Sequence, residues 1–270
     1  MLFELIYEAN EIKMKLFFFP ADNWVLDTLS KTHHIPFKTL PTSYYEPNNK
    51  SANEKKEILW NKVLSWETDG YISRVDNRPL CCNPMTVATK PDFKTEKIKY
   101  RPCIDLSHHV NKYIVDTPTS ISHLSTVEDM LLEGDYQTVY DLENMYFQIV
   151  MTPEQRMFLG CQIEDPETGT KYFFVFNVMI YGLKHAVTVV TKLLKPIVDY
   201  VNTLGIRNSK LIDDGRILST STQEGIKNHA IVLDVLDKAG WRIQWTKTDG
   251  RPSQTIIYQG QGSIFPKELD

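Results

Sequence analysis

The chain has 270 residues, of which 42% are hydrophobic and 24% are charged, a composition typical of a folded globular protein. This composition excludes intrinsic disorder and collagen-like repetition. With 30 Lys and Arg against 34 Asp and Glu, the formal net charge is -4. Such a charge argues against a protein that coats DNA or another polyanion non-specifically, so any basic surface must be local.

The cysteines and the apolar runs indicate the compartment. The four cysteines have no Cys-x-x-Cys spacing and are too few for a disulfide scaffold, which predicts a reduced intracellular setting, cytoplasmic or nuclear. The first residues carry Glu4, Glu8 and Glu11 and lack the basic start and cleavage site of a signal peptide. No apolar run reaches the roughly 18 residues of a membrane span, so no membrane is expected as a partner.

Four segments have the pattern of a helix. Ser51 and Glu54 have capping-box spacing, and apolar residues recur at helical intervals before Gly70, which predicts a helix over 52–69. The same pattern predicts helices from Ser125 to Gly134 and from Ser221 to Gly240. Residues 185–203 predict a long helix that ends before Gly205.

Strand-like runs lie between these helices, since β-branched and aromatic residues are concentrated there. They are Met85–Thr89, Arg101–Leu106, Tyr136–Asp141, Met157–Ile163, Tyr172–Val178, Ser209–Ile212, Arg216–Ser219 and Trp241–Trp245. Residues 164–170 and the pair Asp214-Gly215 are predicted to form hairpin turns. From Tyr136 onward the order approximates a split β-α-β-β-α-β plan, so the predicted fold class is α+β.

Three aspartates lie at the ends of neighbouring strands in this predicted plan. Asp141 ends one predicted strand, and Asp213 and Asp214 lie at the tip of a predicted hairpin whose strand is its neighbour. Carboxylates brought together in this way repel one another unless they bind a divalent cation, and their hard oxygen ligands suit Mg²⁺. Two such ions could clamp the attacking and leaving oxygens of a phosphoryl transfer. Taken singly, an Asp-Asp-Gly sequence is most often only a turn, so the hypothesis rests on the joint arrangement.

These residues resemble the palm of reverse transcriptases of retroelements. The segment from Asp141 to Phe147 is similar to the first palm motif, in which an aromatic, here Tyr146, follows the Asp by five residues. Leu211-Ile212-Asp213-Asp214 resembles the Tyr-x-Asp-Asp box of the family. Tyr181-Gly182-Leu183 resembles the Phe-Gly-Leu motif before the long palm helix, and Gly240-Trp241 leading to Lys247 resembles the motif after it.

Upstream segments resemble the fingers of the same family. They are Asn83-Pro84-Met85, Arg101 to Ser107, and Val110-Asn111-Lys112. The sequences Asp-Leu-Ser-x-His-Val-Asn and Ile-Asp-Asp-Gly-Arg are most similar to tyrosine-recombinase (DIRS-like) retrotransposons. The chain departs from the family pattern at Leu211, Ile180, Val187, Met145 and Ser107-His108.

The resemblance implies a right-hand polymerase with fingers and palm, the palm having ferredoxin-like split β-α-β topology. Its expected organisation is an N-terminal extension at 1–50, fingers at 51–125, a palm at 126–260 with a fingers insertion near 150–175, and a tail at 261–270. A thumb and a ribonuclease H domain are expected to be absent. Weak, poorly processive synthesis would follow, since a thumb normally helps to hold the duplex product.

The resemblance also implies a role for each site residue. Asp141, Asp213 and Asp214 would be catalytic residues that hold two Mg²⁺ ions, with Mn²⁺ as a possible substitute. Five residues would bind the nucleotide: Lys90 and Arg101 through its triphosphate, Tyr146 under its sugar, Gly182 through close backbone approach, and Lys247 at the leaving pyrophosphate. From the residues alone, Tyr146 could equally be a core aromatic, Gly182 a turn glycine and Lys247 a strand cap.

The implied function is that of an RNA-directed DNA polymerase module of a retrotransposon. Its partners would be an RNA or DNA template with a primer, deoxynucleoside triphosphates, and other domains of a retroelement polyprotein. Two alternatives remain. One is a decayed or repurposed nucleic-acid-binding protein, which the departures from the pattern favour. The other is a polymerase that makes RNA.

Overall fold

The computed structural model describes residues 23–92, 97–117, 130–211, 214–258 and 261–264, with the backbone alone at 92, 97, 210, 211, 255–258 and 261–264. The helices are α1 (Asn23–Ser30), α2 (Lys50–Glu54), α3 (Lys56–Thr68), α4 (Val110–Tyr113), α5 (Ala186–Thr203) and α6 (Thr222–Lys238). The strands are β1 (Tyr44–Tyr45), β2 (Ile72–Val75), β3 (Cys81–Cys82), β4 (Met85–Asp92), β5 (Lys97–Ile104), β6 (Tyr136–Asp141), β7 (Gly160–Glu164), β8 (Lys171–Phe176), β9 (Arg207–Leu211), β10 (Asp214–Ser219), β11 (Asp249–Ser253), β12 (Thr255–Tyr258) and β13 (Gln261–Ile264).

The described chain forms two compact units. The first contains residues 31–117 and 146–186, and the second contains residues 23–30, 130–145 and those from 187 onward. A five-stranded sheet in the order β1-β3-β7-β8-β2 lies in the first unit, together with the separate hairpin β4–β5. Within its core the ring of Trp66 meets the edges of Phe147 and Phe176, each with ring centroids 5.7 Å apart.

The helix predicted over 52–69 is two helices. Helices α2 and α3 are separated at Lys55, and the predicted apolar face of α3 is buried. Ser51 does not cap a helix, because its hydroxyl lies 2.9 Å from Thr86 Oγ1 and accepts a hydrogen bond from Val87 N at 3.1 Å. The capping-box pattern was misleading here because strand β4 competes for the same hydroxyl.

The second unit is built on a four-stranded antiparallel sheet in the order β11-β6-β10-β9. In chain order the elements are β6, α5, β9, β10, α6 and β11. The predicted split β-α-β-β-α-β order is present, because β10 lies between the first two strands of the plan and pairs with β6, but its last strand is β11 rather than the predicted run Trp241–Trp245. The helix predicted from Ser221 is also confirmed, since Ser221 Oγ accepts from Glu224 N at 3.2 Å. The start of the helix predicted at Ser125 lies outside the described residues.

The hairpin turn predicted at Asp214-Gly215 is wrong in register. Asp214 pairs with Leu211 and Gly215 with Lys210, so both residues lie in β10. Gly215 is needed for space rather than for an unusual backbone angle, because a Cβ there would overlap the ring of Tyr140 on the adjacent strand. Tyr140 is buried, which raises the pKa of its hydroxyl to about 12, and that hydroxyl donates to Asn208 Oδ1 at 3.3 Å.

Two predicted strands also differ from the observed elements. The run Met157–Ile163 is divided, because a 3-10 helix over Pro153–Phe158 precedes β7, which begins at Gly160. The run Trp241–Trp245 makes only a single bridge from Ile243 to Leu142, and residues 244–248 form a turn. Trp241 and Ile243 are buried nonetheless, because burial of apolar and aromatic residues does not require a strand.

Among the described residues, no helix has both the length and the apolar character that crossing a membrane requires.

A pair of buried histidines in the first unit was not expected from the sequence. The Nε2 atoms of His33 and His185 lie 2.9 Å apart, so one nitrogen donates a hydrogen bond and the other accepts it. Burial, together with repulsion from the rings of His185 and His34, lowers the pKa of His33 to about 3, and burial lowers that of His185 to about 4. Both imidazoles are therefore neutral in the folded chain at neutral pH.

Gly215→Ala should lower the free energy of unfolding by about 2–4 kcal/mol, because the new methyl group overlaps a buried ring. Urea unfolding measures this change. In the double variant with Tyr140→Leu, the loss of unfolding free energy should be at least about 1 kcal/mol smaller than the sum of the losses in the two single variants. Strict additivity in this double-mutant cycle would contradict the proposed overlap.

The histidine pair should make the fold sensitive to acid. Because the folded pKa values lie below the unfolded value of 6.5, the stabilisation is complete above pH 6.5 and is lost as the pH falls towards 4. Between pH 7.5 and pH 5 each histidine should cost about 2 kcal/mol of unfolding free energy. His33→Gln and His185→Gln should each flatten this dependence in urea unfolding, whereas His34→Gln, at an exposed position, should retain it.

Candidate active site

Asp141 and Asp214 lie directly opposite each other on the neighbouring strands β6 and β10. Opposite residues of an antiparallel pair project their side chains from the same face of the sheet, about 4.5–5.5 Å apart at Cβ. Two carboxylates in this position repel each other and destabilise the strand pairing. Their presence where the two inner strands of the sheet meet at their ends therefore indicates a role other than stability.

The opposite face of this sheet is covered by α6. Asn228 Nδ2 on that helix donates to Ser219 Oγ at 3.2 Å. Since side chains alternate along a strand, Ser219 lies on the face of β10 away from Asp214. Helix α6 thus packs on one face of the sheet, and the carboxylates of Asp141 and Asp214 lie on the other face.

A turn over residues 244–248 surrounds Asp141. The backbone C=O of Asp141 accepts from Gln244 N at 2.8 Å, and its backbone N–H donates to Thr248 Oγ1 at 3.2 Å. The Thr248 hydroxyl in turn donates to Gln244 O at 3.0 Å, which closes the turn. Both backbone polar groups of Asp141 are therefore bonded to this one turn.

The same turn supplies a counter-charge. Lys247 Nζ lies 2.8 Å from Asp141 Oδ2, and the Asp141 side chain is only 7% exposed whereas that of Lys247 is 59% exposed. The ammonium group compensates a carboxylate that has lost most of its water. Lys247, predicted to act on the leaving group or to cap a strand, is thus bound directly to a predicted metal ligand.

The donors on this face suit a hard divalent cation. Asp141 and Asp214 supply carboxylate oxygens from one face, which is the ligand type that Mg²⁺ prefers. Asp213, the third predicted ligand, lies outside the described residues. In the described part of the chain no group of three or more His, Cys, Asp or Glu side chains forms a metal cluster.

The predicted triphosphate ligands Lys90 and Arg101 lie on the hairpin β4–β5 of the first unit. Lys90 pairs with Lys99, and Arg101 pairs with Ala88, so the side chains of Lys90, Lys99 and Arg101 share one face of the hairpin. Like charges directly opposite each other favour an anion between them. Lys99 was not singled out from the sequence, because only the hairpin register shows that it faces Lys90.

Two further predicted nucleotide-binding residues lie in the first unit. Tyr146 is buried and its ring meets the edge of Tyr181 with centroids 4.7 Å apart. Gly182 has a φ of 96°, a value that L-residues rarely adopt, and its carbonyl accepts from Asn111 Nδ2 at 2.8 Å. The backbone angle at this position thus requires a glycine. The proposed contacts of Tyr146 and Gly182 with a nucleotide stay predictions.

Departures from the family pattern take up ordinary structural roles where their side chains are described. Met145 and Ile180 are buried core residues. In the fingers-like segment, Ser107 Oγ donates to Asp105 Oδ1 at 2.5 Å, and His108 Nδ1 lies 2.9 Å from Glu46 Oε2, which raises the pKa of His108.

Comparison with known proteins identifies the fold. No protein-family profile and no curated protein matches the sequence. Among solved structures, the chain is similar to the crystal structure of the native prototype foamy virus protease–reverse transcriptase, with a TM-score of 0.66 and 18% sequence identity. The match covers 88% of this chain and 30% of that chain, so the chain spans less than a third of the viral protein. At this identity the likeness establishes the fold.

Thr248→Val should destabilise the site around Asp141. It removes the acceptor for the Asp141 N–H and the donor to Gln244 O, so the free energy of unfolding should fall by about 1–3 kcal/mol. Thr246→Val is the matched control, because the Thr246 hydroxyl bonds only Gln244 Oε1 at the exposed side of the turn. Equal losses in the two variants, measured by urea unfolding, would argue against the proposed bonding of Asp141.

Proposed function

We propose, from its reverse-transcriptase-like fold, that this chain is the polymerase module of a retroelement reverse transcriptase, which extends a primer on an RNA or DNA template. One observation carries the proposal: Asp141 and Asp214 lie directly opposite each other at the ends of the two inner strands of the sheet. A pair of mutually repelling carboxylates reduces stability, so its presence is best explained by catalysis. The DIRS-like character of the sequence extends the proposal to a retrotransposon whose polyprotein carries further domains.

The proposed reaction is nucleotidyl transfer. The 3′ oxygen of the primer forms a bond to the α-phosphorus of a deoxynucleoside triphosphate, the bond to the β-phosphate bridging oxygen breaks, and pyrophosphate leaves with that electron pair. The proton of the 3′-hydroxyl is released to water. Two Mg²⁺ ions, or Mn²⁺ in their place, would supply positive charge at the attacking and leaving oxygens. Asp141 and Asp214, with Asp213 from the sequence, would hold them.

Other residues would bind and orient the nucleotide. The cationic face of the β4–β5 hairpin, with Lys90, Lys99 and Arg101, suits a triphosphate, because a guanidinium forms paired hydrogen bonds with phosphate oxygens. Tyr146 would lie under the sugar and select deoxynucleotides, and Gly182 would allow close approach of the backbone. Lys247 would have to exchange its carboxylate partner for the departing pyrophosphate.

A second function is favoured by a specific contact. Lys247 Nζ lies 2.8 Å from Asp141 Oδ2, so the chain itself supplies a counter-charge for this carboxylate. A repurposed nucleic-acid-binding protein would keep such a pair for structure. The two functions differ in whether the chain incorporates nucleotides or only binds nucleic acid.

Primer extension on a heteropolymeric RNA template with Mg²⁺ or Mn²⁺ tests the polymerase. Asp141→Asn and Asp214→Asn should each reduce deoxynucleotide incorporation by about a hundredfold or more, because each removes a charge that stabilises the transition state. The control is Asp234→Asn, an exposed aspartate of α6 that pairs with Lys238, which should retain wild-type incorporation.

Comparing deoxynucleotides with ribonucleotides, and measuring the binding of primer-template, distinguishes the DNA polymerase from the RNA-making polymerase and from the binding protein. Ribonucleotide incorporation that equals deoxynucleotide incorporation would favour the RNA-making polymerase. If folded wild-type chain incorporates neither nucleotide but binds primer-template with an affinity that falls with salt, the polymerase proposal is wrong and the binding protein takes its place.

A further inference from the structure

Trp245 exposes most of its indole on the turn that surrounds Asp141. The residue is 68% exposed, whereas Trp66 and Trp241 are buried. Among the aromatic residues, burial of a tryptophan side chain contributes the most stabilising free energy, because its apolar area is the largest. Single exposed apolar residues are common, so exposure alone does not assign a role, and the position of the indole must be considered as well.

The position of Trp245 is fixed by the bonds of the turn. Gln244, the preceding residue, donates its N–H to Asp141 O, and its own carbonyl accepts from Lys247 N at 3.0 Å and Thr248 N at 3.1 Å. Trp245 therefore lies inside a closed turn whose two ends bond the backbone of Asp141. Trp245 directly follows Gln244, which bonds Asp141, so a molecule that binds at Asp141 and extends along this turn passes a residue whose indole is exposed.

The chemistry of the turn favours a nucleobase as the ligand group that contacts the Trp245 indole. Trp245, Thr246 and Lys247 are consecutive exposed residues, so an aromatic face and an ammonium group are presented within three positions. Aromatic side chains next to cations bind nucleic acid by stacking on bases while the cations contact phosphates. An apolar partner protein would instead require a broader apolar surface around the indole, and Thr246 and Lys247 do not provide one.

We propose that the indole of Trp245 stacks on a nucleobase of the substrate bound at Asp141 and Asp214. The inference rests on the proposed function for the identity of the ligand. The base could belong to the incoming nucleotide or to the nucleic-acid strand, and the stacking chemistry is the same in both. Trp245 thus contributes affinity and positioning and takes no part in the chemical step.

Trp245→Ala tests the proposal in two arms. Loss of stacking should weaken binding roughly tenfold, and Trp245→Phe, which keeps an aromatic face, should stay within roughly threefold of wild type. The first arm measures KM for the deoxynucleotide in primer extension. The second measures Kd for a labelled primer-template by fluorescence anisotropy. A rise in KM alone assigns the base to the nucleotide, and a rise in Kd assigns it to the strand.

Ile226→Ala is the matched control, because Ile226 is another exposed apolar residue of the same unit, 59% exposed, on the helix that covers the opposite face of the sheet. It should change neither KM nor Kd. If Trp245→Ala changes both values by less than twofold, as the control does, the proposal is wrong.

The binding arm keeps this test independent of the polymerase proposal. If the wild-type chain incorporates no nucleotide, quenching of tryptophan fluorescence by a single-stranded oligonucleotide is compared between wild type and Trp245→Phe. Quenching that disappears in the variant, together with weaker oligonucleotide binding by Trp245→Ala, supports stacking in a protein that only binds. Unchanged quenching and unchanged binding overturn the stacking proposal.

Discussion

Repulsion between Asp141 and Asp214 is the constraint around which the second unit is arranged. Their direct cross-strand pairing brings two carboxylates to one face of the sheet, and an unscreened pair of this kind would weaken the joining of β6 to β10. Lys247 offsets the charge of Asp141. The close packing of the Tyr140 ring on Gly215, one residue along each strand, fixes the register on the opposite face. Packing of Tyr140 on Gly215 thus keeps β6 and β10 in register despite the repulsion between the two aspartates.

The turn over 244–248 holds Asp141 and supplies its counter-charge. Its bonds fix the backbone of the aspartate, its lysine pairs with the carboxylate, and its tryptophan is exposed. A substrate bound at Asp141 would therefore meet a carboxylate and an ammonium group that are already in place. Preorganisation of this kind reduces the entropy that is lost on binding.

The first unit carries a complementary kind of surface. The β4–β5 hairpin concentrates cations on one face within a chain of net negative charge, as expected where a phosphate must be attracted locally. The core of this unit contains the aromatic contacts of Trp66 and the neutral histidine pair. Acid should therefore weaken this unit through His33 and His185 rather than through the hairpin.

The sequence by itself determined the features that depend on neighbouring residues. Strand β6 and its terminal Asp141, the Ser221 cap of α6 and the order of the split plan up to α6 all follow from periodicity, caps and turns, which are local signals. The last strand of the plan, β11, lies after the run Trp241–Trp245 that the local pattern indicated. Only the tertiary structure decided that Asp214 and Gly215 belong to a strand, that Thr248 holds Asp141 and that His33 meets His185. Each of these depends on strand register or on contacts between residues more than a hundred positions apart. Such contacts are set by packing of the whole core, which no local pattern encodes.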